Sequence, residues 1–402
     1  MNIWLLQANE PMPIVHEKQR LYRMGLIAKE LNKRSHKIRW FATTFDHYKK
    51  EQLYNKDKII EVNENYKLDL IWAPSYKNNI SIKRIINHKY MAFKFRIKAS
   101  KLDKPDLIYT SFPTIEFAEE AIRYGKENNI PVLVDVRDLW PDIFNHNLSK
   151  LKRIIAFPYI QYMQYKTKKI MKNAYAINGI SPLIMEWGIK KANRECKDID
   201  KSFYMGYEKN SILQKELNIK DFNNDSFNLC FFGTLNNQFE FDKIVKIAEL
   251  IKEYNANIYI CGTGQEYDKL YKESLRLPNL KLLGWVNKEQ LQYILQNSKI
   301  GLAPYKPTFD FQMSVSNKFA EYLSYGLPVV LTSGGYMGKL IEENECGINS
   351  SDEEKIAKFI IKMMKNIEIY DKMSENAKKL YEENFVAEKI YSDLVDYLEK
   401  IV

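Results

Sequence analysis

The chain has 402 residues, 45% of them hydrophobic and 13% aromatic, with a formal net charge of +10. That length is too great for one α/β core and comfortable for two of about 200 residues each, and the apolar share excludes a disordered chain. Its four cysteines, Cys196, Cys230, Cys261 and Cys346, lie far apart with no CxxC pair, which argues against a zinc site or a disulfide framework and for a reducing compartment.

Taken in order, Met1–Ala8 predicts a first strand and Glu17–Leu31 a helix, with Leu21, Met24, Ile27, Ala28 and Leu31 at helical spacing. Lys37–Phe41 and Leu107–Thr110 predict strands, Ile115–Asn128 a helix and Val132–Val136 a strand. This βαβ rhythm implies a parallel sheet with helices on both faces. It restarts after the polar stretch Lys209–Asp225: strands at Phe227–Phe232, Asn257–Cys261, Leu280–Leu283, Ile300–Ala303 and Pro328–Leu331 alternate with helices at Phe241–Tyr254, Lys288–Gln296 and Lys318–Tyr325. Helices fill the rest from Asp352. The boundary is expected near Phe203–Tyr207, giving domains 1–203 and 204–381, with the last stretch, 382–402, returning as a helix to the first domain. Two doubly wound domains bind ligands at the carboxyl ends of their strands, and a cleft between them is the default active site.

No run of about 18 apolar residues is present, so no membrane-spanning helix is expected. Met1–Glu10 has neither the basic nor the long apolar region of a secretory leader, so a cytoplasmic location is expected. The positive charge favours anionic partners: nucleotides, phospholipid headgroups, diphosphate-linked lipids or nucleic acid. Against nucleic acid, no RRM, zinc-finger or helix-turn-helix signature is found. The segment Lys77–Lys101 is basic and aromatic, with Lys83, Arg84, His88, Lys89, Phe93, Lys94, Arg96 and Lys98. At helical spacing it gives one basic and one apolar face, suited to an anionic membrane surface or to an ordinary helix with a solvated side.

The sharpest motif runs from Ser314 to Val330, through Ser316-Asn317-Lys318 and Glu321 to Gly326-Leu327-Pro328. It predicts a polar loop, a helix, a glycine stop and a strand. Hydroxyls and N–H groups at a helix start make an anion site, and Lys318 in the first turn adds a point charge suited to a phosphate. Glu321, about one turn on, is placed to accept from a ribose diol. An N-capped helix with a surface ion pair is the plain alternative. In the first half, Asp135-Val136-Arg137-Asp138-Leu139-Trp140-Pro141-Asp142 follows a strand. Arg137 is suited to a bidentate grip on a phosphate or acceptor, and Asp138 to orienting or deprotonating an acceptor hydroxyl. The alternative is a buried Asp–Arg pair that shapes the loop. His47, after the second strand, has the chemistry of a base, though a loop histidine has other uses. Ser111, after another strand, is expected at the sheet mouth.

The Ser314–Val330 stretch resembles the C-terminal signature of family 4 glycosyltransferases, and Asp135–Pro141 resembles a run found in their bacterial surface-polysaccharide branch (capsule, O-antigen). The resemblance implies an α/β GT-B fold, two doubly wound Rossmann-like domains facing across a cleft. It implies a retaining transferase moving a sugar from a nucleotide diphosphate sugar, a UDP-linked N-acetyl amino sugar, to a lipid-diphosphate-linked saccharide. No metal or other cofactor is expected; the Asp198-Ile199-Asp200 tripeptide lies near the domain boundary and not after a nucleotide-binding strand. Carried over residue by residue, donor binding falls on Gly233, Thr234, Gly262, Trp285, Val286, Ser314, Ser316, Asn317, Lys318 and Glu321. Acceptor binding falls on His47, Ser111 and Arg137, and catalysis on Glu10, Arg137, Asp138 and Lys318.

Two departures stand out. Where the family often carries a first glutamate, eight positions before the second, this chain has Met313. Where it often carries Arg and Lys after the first C-domain glycine, this chain has Thr234 and Phe239, leaving Lys318 to carry the charge. Two rival readings follow: a UDP-N-acetylglucosamine 2-epimerase-like enzyme, and a non-catalytic nucleotide-sugar-binding subunit of a transferase complex.

Overall fold

The computed structural model describes residues 1–16, 19–79, 81–148, 150–208 and 215–402, and of residues 145–147 the backbone alone. The expected helix start at Glu17 and the head of the polar stretch, Lys209 to Gln214, lie outside the described residues. The chain divides into two compact units, Met1–Tyr204 with Glu388–Val402, and Met205–Ala387.

The first unit is built on an eight-stranded sheet. From edge to edge its strands are Lys201–Ser202, Ala176–Gly179, Val132–Val136, Leu107–Phe112, Asn2–Leu6, Lys37–Thr43, Tyr66–Ile71 and Lys58–Asn63. All neighbours are parallel except the last pair, a hairpin. The central strands read as continuous apolar runs because helices cover both faces; every residue of Leu107–Phe112 is buried. The chain starts at the centre with Asn2–Leu6, winds outward, then crosses back to Leu107–Phe112. That reversal is the topological switch point of this unit.

Three expectations need correction here. The first helix runs Arg23–Lys33, not Glu17–Leu31. Its N-cap, Tyr22, makes no capping bond; the Met24 amide is instead satisfied by the carboxylate of Glu10, at 2.8 Å. The returning helix is Ala387–Ile401, while 382 still belongs to Ile367–Asn384, a helix of the second unit. Arg34 pairs with Asp396 and Glu399 on the returning helix, and Tyr397 donates to the Ile199 carbonyl at 2.6 Å. Third, Ser111 lies within the strand Leu107–Phe112, not after it, and is buried. The basic segment forms a helix, Ile82–Ala99, N-capped by Ser81 and buried along Met91, Ala92, Phe95 and Ala99.

The second unit carries a six-stranded parallel sheet in the order Leu280–Gly284, Ala256–Cys261, Phe227–Phe232, Ile300–Ala303, Val329–Leu331, Gly347–Asn349. Here too the first strand is central, and the winding reverses between Phe227–Phe232 and Ile300–Ala303. Tyr322 ties these two strands together from below, its hydroxyl within 3.1 Å of the Cys230 carbonyl and 2.9 Å of the Leu302 carbonyl. Among the described residues no helix is long and apolar enough to cross a membrane.

Candidate active site

At the switch point of the second unit, two glycine turns close on each other. The Gly233 amide donates to the Cys261 carbonyl and the Leu235 amide to the Thr263 carbonyl, both at 2.9 Å. Gly262 has φ +144°, and a Cβ there would lie 1.9 Å from the Gly233 carbonyl oxygen, so only glycine lets the turns approach. On the other flank the loop after Gly233 pairs with the loop after Ala303: Glu240 donates to the Pro304 carbonyl at 2.6 Å and Lys306 to the Gln238 carbonyl at 2.9 Å.

Beneath the Gly233 turn lies Lys318. It is the second residue of the helix Asn317–Ser324, whose N-cap Ser316 accepts from the Phe319 amide at 3.2 Å. A Cβ on Gly233 would come within 3.2 Å of the Lys318 ammonium. That ammonium is buried and has no hydrogen-bond partner. Its surroundings are aromatic faces: Phe231 at 3.7 Å, Phe239 at 4.3 Å, Phe232 at 5.5 Å and Tyr305 at 5.6 Å to the ring centroids. Burial pushes Lys318 well below the usual lysine value, against the smaller opposing pull of Glu321. Cation–π attraction offsets part of that cost, about 2 kcal/mol at a desolvated site. One turn on, Glu321 accepts from the Tyr207 hydroxyl at 2.8 Å.

The other donor-side residues fall around the same strand ends. Gly233 and Thr234 are exposed, as is Asn317, and Ser314 ends the short helix Phe309–Met313. Trp285 and Val286 follow the strand Leu280–Gly284, with Trp285 three-quarters exposed. Phe239, at the position where the resembled family often carries a lysine, covers Lys318. The aromatic enclosure is what sequence reasoning missed; Phe231-Phe232 before Gly233 was its only trace and read simply as strand.

In the first unit Glu10, Asp135 and Arg137 are brought together, with Arg23 as an unforeseen fourth member. Arg23 grips Asp135 through two bonds of 2.9 Å and also donates to the carbonyls of Phe203 and Tyr204. Arg137 donates to Asp135 at 2.7 Å and is paired with Glu10. Burial alone would raise the Asp135 carboxyl, but the two guanidiniums hold it below its ordinary value. Arg137, mostly buried, thus shapes the loop through Asp135 and Glu10, while its Nη2 has no hydrogen-bond partner. Asp138 accepts from the Leu139 amide at 2.7 Å and the Trp140 indole at 3.1 Å.

Near this loop, Nδ1 of His47 lies 2.6 Å from the Tyr76 hydroxyl. Burial, then the positive charges of Lys50 and Arg84, push the imidazole down to about 4. His47 is therefore neutral at physiological pH and a weak base. NMR titration of its ring is expected to show a midpoint about 4, and a rate profile in which His47→Gln removes an inflection between pH 6 and 7 would contradict this. Asp200 of the Asp198–Asp200 tripeptide is held by Arg194 and by the amides of Ile177 and Lys197.

Residues 226–366 match the family model described as Glycosyl transferases group 1. No curated protein matches the chain by sequence. Among solved structures it is similar to the sucrose-phosphate synthase of Thermosynechococcus elongatus, at TM-score 0.70 and 12% identity over 100% of this chain and 98% of that one. The HepE protein of Anabaena, solved with UDP, is similar at TM-score 0.65 and 14% identity over the whole of both chains. WaaG, a glycosyltransferase involved in lipopolysaccharide biosynthesis, is similar at TM-score 0.58 and 13% identity over 97% and 98%. At these identities the likeness establishes the GT-B fold. The group 1 match spans the caged lysine, the glycine turns and the helix of Glu321, and marks the second unit as a glycosyltransferase domain on that fold.

Proposed function

We propose that the chain is a metal-independent, retaining transferase of the family 4 surface-polysaccharide branch. In this reading it moves an N-acetyl amino sugar from a UDP-linked donor to a lipid-diphosphate-linked glycan, at the cytoplasmic face of a membrane. The observation that carries the donor half is the Lys318 ammonium, buried at the switch point without a hydrogen-bond partner. A buried cation in that state is costly until an anion pairs with it. A diphosphate lying over Gly233 supplies that anion, and the amides at the start of Asn317–Ser324 add to its field. Glu321 then takes the ribose diol.

Catalysis asks for stabilisation of a departing diphosphate and an oxocarbenium-like carbon. Lys318 and the helix-start amides are fixed before the reaction, so they stabilise the developing charge without reorganisation. On the acceptor side Asp138 orients the attacking hydroxyl, and the Arg137–Glu10 pair holds the loop that carries it. Neutral His47 contributes a hydrogen bond and not a charge.

The test is thermal stability of the full chain with UDP and with UDP-sugars, in EDTA and in manganese. UDP at about 100 times its Kd is expected to add about 2.7 kcal/mol of stability, equally in both buffers. No shift with any nucleotide, or a shift that needs manganese, would overturn the proposal.

A further inference from the structure

The first unit contains a cavity of about 260 Å³ that the roles above leave unused. It lies between the first turns of the helix Ile82–Ala99 and the middle of the helix Lys150–Asn173. Ile115 and Trp140, which follow the strands Leu107–Phe112 and Val132–Val136, form its floor, so it opens at the carboxyl ends of this sheet. Ile85, Phe144 and Ile160 give it a hydrocarbon wall.

Two polar atoms in that wall have no partner: Arg84 Nε and His88 Nε2, His88 being almost fully buried. Nδ1 of His88 faces Glu116 at 3.6 Å, while Nε2 is left over. The Arg84 guanidinium stacks on Trp140, 5.0 Å from the ring centroid, and spends one N–H on the Asn79 carbonyl. Leaving the buried Arg84 Nε–H unmade costs free energy, so the cavity lacks an acceptor group for it.

The mouth is apolar as well. Ile82 lines the cavity and is 75% exposed. Leu151, Ile154, Ile155 and Phe157, on the same turns as the cavity-lining Ala156, are each more than half exposed. Lys83, Lys150, Lys152 and Arg153 are interleaved with them. Exposed large apolar side chains in this number on neighbouring turns mark an interaction surface, and the basic residues among them match an anionic bilayer.

From these observations we infer that the cavity binds an anionic lipid drawn from the membrane. The first units of its chain lie against Phe144 and Ile160, and its phosphate accepts from Arg84. The inference rests on the proposed function only in taking this lipid phosphate as the anchor of the glycan acceptor.

The experiment is calorimetric titration of the full chain with geranyl phosphate, geraniol and inorganic phosphate. Geranyl phosphate is expected to bind at least about tenfold more tightly than either fragment. Ala156→Trp, which fills the cavity from a partly exposed helix position, is expected to weaken it by about tenfold or more, and Arg84→Gln to bring it down to the level of geraniol. Equal binding by both variants and wild type, or phosphate alone binding as well as geranyl phosphate, would sink the inference. The UDP thermal shift is read on the same preparations. A chain that binds geranyl phosphate but shows no nucleotide shift would refute the transferase reading and leave the cavity assignment standing. An unchanged shift in Ala156→Trp shows that the variant is folded.

Discussion

Lys318→Met is expected to abolish nucleotide binding while making the unliganded protein more stable. The two effects have one cause. The ammonium is buried among four aromatic rings without a hydrogen-bond partner, so in the free protein it is a cost. Methionine fills nearly the same volume and needs no partner. Removing a buried unsatisfied polar group returns about 1–3 kcal/mol, or a rise of roughly 2–10 °C in the melting temperature of a unit this size. With donor present the sign reverses. Deleting one partner of a buried charge pair costs about 2–5 kcal/mol, at least about 30-fold in affinity. Thermal melts with and without UDP read both effects. A variant that is less stable when unliganded, or that keeps its UDP shift, would show that Lys318 is not the anion's partner.

The same lysine gives binding a pH signature. Its value in the free protein is held down by burial, and a bound diphosphate would raise it. Between the two values binding takes up a proton, so nucleotide affinity falls as pH rises. Calorimetry in two buffers of different ionisation heat should show that uptake in the wild type and not in Lys318→Met. For the unliganded fold, the depressed value means that the unfolded chain holds more protons. The penalty is present below the folded value and disappears as pH rises towards the ordinary lysine value of 10.5.

The second unit was far more legible in the sequence than the first, and the reasons are physical. Its strands are short apolar runs, each ended by glycine, proline or a polar residue, and its helices carry local stop signals. Gly326, at φ +69°, ends one helix where a glycine must. The candidate donor segment is also sequential: Ser316, Lys318 and Glu321 sit within two turns, so spacing brought them to one helix start and the resemblance supplied their expected roles. What spacing does not reveal is solvation. That Phe231, Phe239 and Tyr305 converge on Lys318 depends on two loops paired across the sheet, a tertiary fact. In the first unit the helix Lys150–Asn173 escaped notice because its first turns leave Leu151, Ile154 and Ile155 exposed, which blurs the amphipathic pattern. The start of the first helix was misplaced for a related reason. Its cap comes from Glu10, fourteen residues upstream, and no local motif announces it.

Asp135→Asn is expected to be among the most destabilising single changes in the first unit, by about 3–5 kcal/mol, because it leaves the buried Arg23 and the mostly buried Arg137 to share one remaining carboxylate. Arg23 and Asp135 are completely buried, and the set of Arg23, Asp135, Arg137 and Glu10 balances two positive charges against two negative ones. Asparagine keeps the shape but loses the charge and presents an N–H₂ to a guanidinium. Arg23 also holds the backbone at Phe203 and Tyr204, so the damage reaches the end of the unit. The pH dependence has a definite sign. The folded Asp135 carboxyl lies below its ordinary value of 3.8, so its contribution is complete above that value and is lost as pH falls through the folded one. Urea melts of wild type should weaken on acidification, and Asp135→Asn should flatten that acid limb. Asp138→Asn makes the contrast. Its carboxylate serves a loop amide and the Trp140 indole, so about 1 kcal/mol is at stake in folding. If Asp138 orients the acceptor, its variant melts nearly as wild type and loses transfer, while Asp135→Asn loses stability and keeps transfer per folded molecule. The opposite pattern would assign the reaction to the buried network and the scaffold to Asp138.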